Sequence, residues 1–332
     1  MPKVLHVGPC DTPGGMATVM HTLAEYPPEG WEAELLASHA PGGLWAKWRA
    51  YRRARKELIR RCQSPQDRPD IVHVHTAADW SWRRKERLIN QVPSGTGVVI
   101  HIHSGNFHHW LGDALSRRCS RFRKTVHESN AVVVVLSDAW ERTFRTTIGP
   151  TFPISNPLHP HMVPSDEPRD QNHLLILGRP DPVKGHDIAI EVTRKLKEQN
   201  PFIHLTATGI EQSSEPFVDA RGWVNEDEKL RLFQTASVLL LPSSFEGQPM
   251  VALEAAACGL PVVASEHLTS LPPSAFKAGP TIEHWVTKVK QVLVHPSPCE
   301  PLSAGEQLAG VQAQWQTCYQ SAIQEIRTDS KS

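Results

Sequence analysis

The chain lacks long apolar runs. No run approaches the roughly 18–20 apolar residues that a helix needs to cross a bilayer. The first apolar segment, Val4–Val7, follows Met1-Pro2-Lys3 directly and is too short for the core of a signal peptide. We therefore expect a cytoplasmic protein without a membrane span. Its length of 332 residues exceeds one typical core and predicts two domains.

Paired cysteines are also absent. Six cysteines are dispersed along the chain, and none forms a Cys-x-x-Cys pair: Cys10, Cys62, Cys119, Cys258, Cys299 and Cys318. This distribution indicates neither a disulfide framework nor a zinc ribbon. We expect these residues to be small buried hydrophobic side chains.

A net charge is absent overall, because 35 Lys and Arg residues balance 35 Asp and Glu residues. The two halves differ. Residues 1–155 hold 21 basic against 14 acidic residues, whereas residues 156–332 hold 14 basic against 21 acidic residues, so the halves carry +7 and −7. The first half therefore favours an anionic partner.

Much of the basic excess lies in residues 44–61, which predict a basic amphipathic helix. Its apolar residues fall near one face, interrupted by Arg55: Leu44, Trp45, Trp48, Tyr51, Leu58 and Ile59. Such a Trp-containing helix suits an anionic bilayer surface, and packing of the same Trp residues on the domain core is an equal alternative. Basic clusters at 80–85 and 117–124 favour the bilayer. Nucleic acid is not expected, because no recognised nucleic-acid module is present.

Short apolar runs alternate with helical segments and predict two parallel, doubly wound α/β domains. In the first half the predicted strands are Val4–Gly8, Ile71–His75, Val98–His103 and Ala131–Leu136. In the second half they are His173–Leu177, His204–Thr208, Val238–Leu241 and Pro261–Ala264, with helices at His186–Gln199, Glu226–Ala236 and Gln248–Ala257. A Pro-rich polar stretch separates the two series. The predicted boundaries are a domain at 1–157, a linker at 158–171 and a domain at 172–304.

Glu246 and Glu254 form the most informative pattern, because only seven residues separate them. Pro249 suits the first turn of a helix, and Gly259 suits a left-handed cap beyond its end. Glu246 would then lie in the loop at the helix N-terminus, and Glu254 about two turns deeper among apolar residues. A solvated helix face is the alternative, but an unpaired carboxylate among Val, Ala and Leu is costly.

This Glu-x7-Glu element resembles that of the retaining glycosyltransferases of family 4. The resemblance implies a GT-B fold, in which two Rossmann-like domains face each other across a cleft, with an acceptor-binding first domain and a nucleotide-sugar-binding second domain. It also implies that residues 305–332 form a C-terminal helix, which crosses back to the first domain, and a tail. Glu246 would contact the donor sugar and Glu254 the ribose.

The loop after Glu246 would complete the donor site through Gly247, Gln248, Met250 and Val251. Many family members have Gly-Phe-Gly where this chain has Gly247-Gln248-Pro249, so one backbone amide is lost at Pro249. Residues 266–273 also replace a Gly-Gly and Glu-bearing loop that helps the family to bind the donor phosphate.

A second loop, Gly178-Arg179-Pro180-Asp181-Pro182-Val183-Lys184-Gly185, resembles the Gly-Arg and Lys-Gly loop of the family. Negative charge grows on a departing diphosphate, and fixed cations stabilise that transition state more than the ground state. The resemblance therefore gives Arg179 and Lys184 catalytic and donor-binding roles. Since no Asp-x-Asp motif is present, we expect neither a metal nor another cofactor.

Two further loops have donor-binding roles through the resemblance. Gly14 and Gly15 follow the first strand, where glycine lets the backbone approach a phosphate at a helix N-terminus, and a plain turn is the alternative. Trp223 and Val224 would contact the nucleobase, and a capped turn between a strand and a helix is an equal alternative.

Histidines occur in two alternating pairs, His73 with His75 and His101 with His103. Each pair places two imidazoles on one side of a strand, but no carboxylate or Cys has a ligand-like spacing, so metal binding is the less favoured interpretation. The resemblance selects His103, which would face the donor sugar and serve in catalysis by positioning. His75 and Asn106 would line the acceptor side.

These residues predict a retaining, metal-independent hexosyltransferase, peripheral on the cytoplasmic face of a membrane. It would move a sugar from a UDP- or GDP-sugar to a membrane-associated, lipid-linked glycan acceptor. Two alternatives remain: a sugar-nucleotide epimerase with the same fold, and a non-catalytic subunit that binds nucleotide sugar and docks at the membrane.

Overall fold

The computed structural model describes residues 1–294 and 300–329, with the backbone alone for 325–329. The chain divides into two compact units. Unit 1 contains Met1–Pro157 and the chain from Leu308 onward, and unit 2 contains Leu158–Gln307.

Unit 1 contains a parallel sheet of six strands in the order β2-β1-β3-β4-β5-β6. Its strands are β1 (Lys3–Gly8), β2 (Glu32–Ala37), β3 (Ile71–Thr76), β4 (Gly97–Ile102), β5 (Val132–Val135) and β6 (Phe152–Pro153). Its helices before residue 157 are α1 (Gly15–Glu25), α2 (Leu44–Gln63), α3 (Trp80–Ile89), α4 (Phe107–Leu111), α5 (Arg117–Glu128) and α6 (Asp138–Ile148).

The two faces of this sheet differ in polarity, because successive strand residues point to opposite sides. Val72 and Val74 of β3 belong to the main apolar core of unit 1. His73 and His75, which alternate with them, lie on the other face and are fully buried.

Unit 2 contains a second parallel sheet, in the order β12-β11-β10-β7-β8-β9. Its strands are β7 (His173–Ile176), β8 (His204–Ala207), β9 (Val218–Ala220), β10 (Val238–Leu241), β11 (Val262–Ser265) and β12 (Phe276–Ala278). Its helices are α7 (His186–Lys197), α8 (Glu226–Thr235), α9 (Met250–Ala257) and α10 (Ile282–Val294). The strands that the sequence predicts all form, with ends within two residues of those expected.

The last helix, α11 (Ala304–Asp329), belongs to unit 1 from Leu308 onward. Trp315 and Tyr319 of this helix are buried. The hydroxyl of Tyr319 lies 2.9 Å from Nδ1 of His73, and the ring centroid of Trp315 lies 4.5 Å from that of His73. The helix therefore covers the histidine face of the unit 1 sheet.

Five cysteines are buried with free thiols, as expected: Cys10, Cys62, Cys119, Cys258 and Cys318. Cys299 lies outside the described residues. Among the helices of residues 1–294 and 300–329, none is both long and apolar enough to cross a membrane.

Candidate active site

An ion pair joins two of the residues that the motifs select in unit 2. Nζ of Lys184 lies 2.6 Å from Oε1 of Glu246, and the two side chains are 21% and 14% exposed. Lys184 follows β7 and Glu246 follows β10, and these strands are neighbours in the sheet. Because both loops leave the carboxyl ends of parallel strands, they meet at the edge where α/β sheets bind ligands.

Local hydrogen bonds hold the Lys184 loop in place. Asp181 caps a short 3₁₀ turn, Pro182–Lys184, by accepting a hydrogen bond from the N–H of Val183 at 3.0 Å. The N–H of Ser244, two residues before Glu246, donates to the carbonyl of Val183 at 2.8 Å. The cation and the carboxylate are thus fixed by backbone contacts as well as by their own pairing.

Arg179 is the more exposed cation of this loop. Its side chain is 64% exposed, and its guanidinium lies 4.0 Å from the carboxylate of Asp181. The preceding residue, Gly178, is in close contact with Gly209, where an added Cβ would lie 1.9 Å from the Gly178 carbonyl oxygen. Gly209 has a φ of +82°, so both conformation and space require glycine there.

Glu254 has a different partner, which the sequence did not indicate. Its Oε1 lies 2.9 Å from Nζ of Lys229 on α8, and the two side chains are 3% and 12% exposed. Lys229 also contacts Glu226, at 2.6 Å. Burial raises the pKa of Glu254, although Lys229 opposes this shift. Burial lowers the pKa of Lys229, but Glu254 and Glu226 outweigh it, and that pKa is raised.

The helix that carries Glu254 begins later than expected. It starts at Met250, and Pro249 is the N-cap residue rather than a member of the first turn. Glu254 is therefore the fifth helical residue, about one turn into the helix and not two. The expected left-handed glycine is confirmed, because Gly259 has a φ of +67°. Gly247 and Met250 are buried, while Gln248 and Val251 are half-buried.

The loop before α8 exposes an aromatic ring. Trp223 is 58% exposed and Val224 is half-buried. Asn225 caps the helix, since its side-chain oxygen accepts the N–H of Glu228 at 2.9 Å. A capped turn and an exposed ring are thus present together.

His267 contacts the loop that contains Glu246. It belongs to residues 266–273, the segment that departs from the family pattern. Its Nε2 lies 2.9 Å from the carbonyl oxygen of Ser244. The sequence did not single out His267, because this contact spans two loops that follow different strands.

In unit 1, Gly14 and Gly15 open a helix as expected. Gly14 is the N-cap residue of α1 with a φ of +142°, and Gly15 is the first helical residue. A Cβ at Gly14 would have no neighbour within 4 Å, so the backbone conformation, and not the available space, favours glycine.

His103 follows β4 and is hydrogen-bonded to His75. Nε2 of His103 lies 2.9 Å from Nδ1 of His75, and Nε2 of His75 lies 3.0 Å from Nδ1 of His6. Burial lowers the pKa of His103 to about 3 and that of His75 well below its ordinary value. Both imidazoles are therefore neutral at pH 7. Asn106 is half-buried in the same loop as His103.

The basic helix of residues 44–61 forms as α2, but its predicted apolar face is wrong in part. Ala54 and Leu58 are buried, whereas Leu44, Trp45 and Trp48 are 86%, 75% and 46% exposed. The contacts of the helix with the apolar core of unit 1 come from its middle and its second half, through Tyr51, Ala54, Leu58 and Cys62. The core-packing alternative is therefore wrong for Trp45 and Trp48, which are exposed, and the bilayer interpretation stays a prediction.

The basic cluster at 80–85 is also part exposed and part buried. Trp80 is 68% exposed, whereas Trp82 and Lys85 are 2% and 1% exposed. Nζ of Lys85 donates to the hydroxyl of Ser38, and burial lowers the pKa of Lys85 to about 7. Lys85 is thus unavailable to a bilayer, contrary to the expectation for this cluster.

Two family models match the chain in succession. The model for Glycosyltransferase Family 4 matches residues 13–157, and the model for Glycosyl transferases group 1 matches residues 161–292. The chain belongs to glycosyltransferase family 4. The region matched by the first model contains Gly14 and Gly15, and the region matched by the second contains Lys184 and Glu246.

The family 4 chain has relatives among known proteins and structures. It is 29% identical over 223 residues to a glycogen synthase of Mycobacterium tuberculosis, which covers 60% of this chain and 52% of that protein. Sucrose-phosphate synthase from Thermosynechococcus elongatus superposes with a TM-score of 0.69 and 17% identity over 100% of both chains. WaaG, a glycosyltransferase involved in lipopolysaccharide biosynthesis, superposes with a TM-score of 0.60 and 14% identity over 96% of this chain and 98% of that one. These similarities confirm the GT-B fold. The chain spans about half the length of the glycogen synthase that it matches.

Proposed function

We propose that this family 4 chain is a retaining hexosyltransferase, which moves a sugar from a nucleotide-sugar donor to a membrane-associated glycan acceptor. The observation that carries the proposal is the Lys184–Glu246 pair on neighbouring loops of unit 2. A donor presents a diphosphate, which requires cations, and a sugar ring, which requires hydrogen-bond acceptors for its hydroxyls. Lys184 and Glu246 offer one of each, side by side.

The cations act on the departing diphosphate. In the proposed reaction the bond between C1 of the sugar and the diphosphate oxygen breaks, and a bond from C1 to an acceptor hydroxyl oxygen forms on the same face. The hydroxyl proton passes to a diphosphate oxygen. Arg179 and Lys184 stabilise the negative charge that grows on the diphosphate, so this chemistry assigns no metal to the donor.

Donor and acceptor contacts follow from the remaining residues. Glu254 accepts hydrogen bonds from the ribose, and the exposed ring of Trp223, with Val224, contacts the base. Gly14 and Gly15 bring backbone N–H groups to the diphosphate or the acceptor. His103 is neutral because burial lowers its pKa, so it positions sugar hydroxyls by hydrogen bonding without adding a charge. His75 and Asn106 contribute to the acceptor side.

The exposed first half of α2 supports a membrane-associated acceptor. Trp45 and Trp48 form an edge-to-face pair with centroids 5.3 Å apart, and the Arg52 guanidinium lies 4.8 Å from the Trp48 centroid. Trp side chains suit the interfacial region of a bilayer, and the surrounding Lys and Arg suit anionic headgroups. WaaG, a glycosyltransferase involved in lipopolysaccharide biosynthesis, has the same fold.

A transfer assay tests the proposal. The purified chain is incubated with labelled UDP- and GDP-sugars, with and without a membrane lipid extract, in the presence of EDTA. We expect label to pass into the lipid fraction with unchanged anomeric configuration and at a rate that EDTA does not lower. Conversion of the donor without lipid would instead indicate an epimerase, and binding without conversion would indicate a non-catalytic subunit. Strict dependence on a divalent ion would contradict the roles of Arg179 and Lys184.

A further inference from the structure

Five imidazoles share the covered face of the unit 1 sheet, four of them buried and that of His103 half-buried. They come from three adjacent strands or the loop that follows one of them: His6 on β1, His73 and His75 on β3, His101 on β4 and His103 just after it. The strand register places His6 opposite His73, and His75 opposite His101. In two groups of three, each histidine offers a nitrogen, and these nitrogens lie within 4.8 Å of one another: His6, His73 and His75, and His75, His101 and His103.

The first of these groups is poorly arranged to share an ion. Ring stacking does not distinguish the two groups, because His73 and His75 stack at an interplanar angle of 17° and His75 and His103 at 25°. The first group differs through His73, whose two nitrogens both have partners outside that group: Tyr319 at 2.9 Å and His101 at 3.2 Å.

In the second group, neighbouring histidines can hydrogen-bond to the ring nitrogens that would not bind the ion. Nε2 of His75 contacts Nδ1 of His6, and a hydrogen bond that Nε2–H of His75 donates to His6 leaves a lone pair on Nδ1 of His75, which faces His103. Likewise, a hydrogen bond that Nδ1 of His101 donates to His73 leaves Nε2 of His101 as a lone pair. Metal-binding histidines ordinarily donate their other ring N–H in this way, which fixes tautomer and orientation.

One ring nitrogen of this group has no hydrogen-bond partner among the described residues. Nε2 of His101 is buried and has no hydrogen-bond partner among the described residues, and the whole residue is 0% exposed. Leaving such an atom unsatisfied is costly, and an ion or a water molecule is the usual explanation.

We propose that His75, His101 and His103 bind one borderline divalent transition-metal ion of the Zn²⁺ type, supported by His6 and by the His73–Tyr319 pair. Three imidazoles plus one open position match the coordination of Zn²⁺ in three-histidine sites. A pair such as Nδ1 of His75 and Nε2 of His103, now 2.9 Å apart, needs to separate by only a few tenths of an ångström to hold an ion about 2.0–2.1 Å from each nitrogen.

The three ligands differ in burial. His103 is the least buried of the three, so an ion can reach the group from solvent at this residue. This proposal departs from the sequence-based expectation of no metal, which considered the histidine pairs one strand at a time and did not combine the histidines of β3 with those of β4.

Metal titration tests the site independently of any transfer reaction. Tag-free protein is stripped with EDTA, dialysed and titrated with Co²⁺, whose visible d–d bands report coordination, and the Co²⁺ is then displaced with Zn²⁺. We expect one ion per chain with a spectrum of low coordination number, and a rise in melting temperature with Zn²⁺. His101→Phe and His103→Phe, which keep a planar ring, should each weaken binding at least tenfold.

A double variant, His159→Phe with His161→Phe, serves as the matched control. These two imidazoles of unit 2 also contact each other, and we expect their removal to leave stoichiometry and affinity unchanged. Circular dichroism establishes that each variant is folded; if His101→Phe is not, the half-buried His103→Phe decides. Failure to bind an ion, unchanged affinity in the folded ligand variants, or loss of binding in the control would each overturn the proposal.

Discussion

The Nζ atom of Lys229 lies 2.9 Å from a carboxylate oxygen of Glu254, and both side chains are largely removed from solvent. Removing one partner of a buried ion pair leaves an uncompensated charge, which costs about 3–5 kcal/mol. We expect Lys229→Met to lower the free energy of unfolding of unit 2 by about this amount at pH 7. Urea unfolding, followed by a probe in unit 2, measures the change.

The destabilisation caused by Lys229→Met should be larger at neutral pH than at acidic pH. Burial raises the pKa of Glu254, so its protonated form is favoured in the folded state, and stability is lost as pH rises through the folded pKa. The Lys229→Met penalty should therefore shrink toward acidic pH, as the buried carboxyl becomes neutral. The double variant with Glu254→Gln should recover most of the loss at pH 7, and a double variant as unstable as Lys229→Met alone would contradict the pairing.

Glu246→Ala should reduce transfer about 10- to 150-fold while sparing nucleotide binding. The variant loses a carboxylate contact to the sugar, and hydrogen bonds of charged groups are worth about 1.5–3 kcal/mol. Binding of the nucleoside diphosphate should be unchanged or tighter, because Lys184 loses its 2.6 Å partner. Steady-state kinetics and calorimetry measure the two effects. Glu198→Ala, an exposed change at the residue that follows α7, is the control, and normal turnover of Glu246→Ala would remove Glu246 from the site.

Arg179→Ala and Lys184→Met should each lower transfer by tenfold or more, since each removes a charge-assisted contact to the leaving diphosphate. Binding of the nucleoside diphosphate should weaken, whereas binding of the nucleoside alone should not. The control is Lys195→Ala, an exposed lysine of α7 that pairs with Glu198 at 3.1 Å. Equal losses in diphosphate and nucleoside binding would point to damage of the fold instead of the loop.

Replacing both Trp45 and Trp48 with Ser should release the protein from anionic liposomes. Both rings are exposed on the first half of α2, so the change removes apolar contact without opening the core. Cosedimentation with vesicles of anionic and of neutral lipid measures binding, which should fall as salt is added. Phe202→Ser, at an exposed aromatic residue of unit 2, is the control. Failure of the wild-type protein to bind anionic vesicles at low salt would contradict the membrane-docking proposal.

Unit 1 should be acid-labile because of its histidine face. Burial lowers the pKa of His6 and His103 to about 3, and unfolding restores values near 6.5. The unfolded chain therefore binds more protons below pH 6.5, and stability falls with pH by up to about 1.4 kcal/mol per pH unit for each imidazole. Urea unfolding at several pH values measures the slope. His101→Phe should reduce this slope by the equivalent of about one proton. Equal slopes in the wild-type protein and the variant would contradict the attribution of acid lability to the buried histidines.

The fold could be predicted where strands are buried on both faces. The central strands of both sheets are apolar runs, and their positions match the expectation within two residues. The strands that the sequence did not predict are the edge strands of each sheet: β2, β6, β9 and β12. Edge strands here are short or partly exposed, so neither apolar length nor β-branched content distinguishes them from loops.

The site could be predicted only where its residues are close in sequence. Glu246, Arg179 and Lys184 belong to recognisable segments, whereas Lys229 and Glu254 lie 25 residues apart in the sequence, on two different helices. His6 is a single histidine in an apolar strand, and only the pairing of β1 with β3 places it opposite His73. Contacts across strands depend on register, which the local pattern does not contain.

Helix α11 has a consequence for biosynthesis. Proteins generally fold from the N-terminus as synthesis proceeds, one domain after another. In this chain the imidazole side of the first sheet receives Trp315 and Tyr319, which are translated after all of residues 158–307. The first 157 residues thus leave the ribosome with that side uncovered, and they reach their final packing only after the second unit has been made.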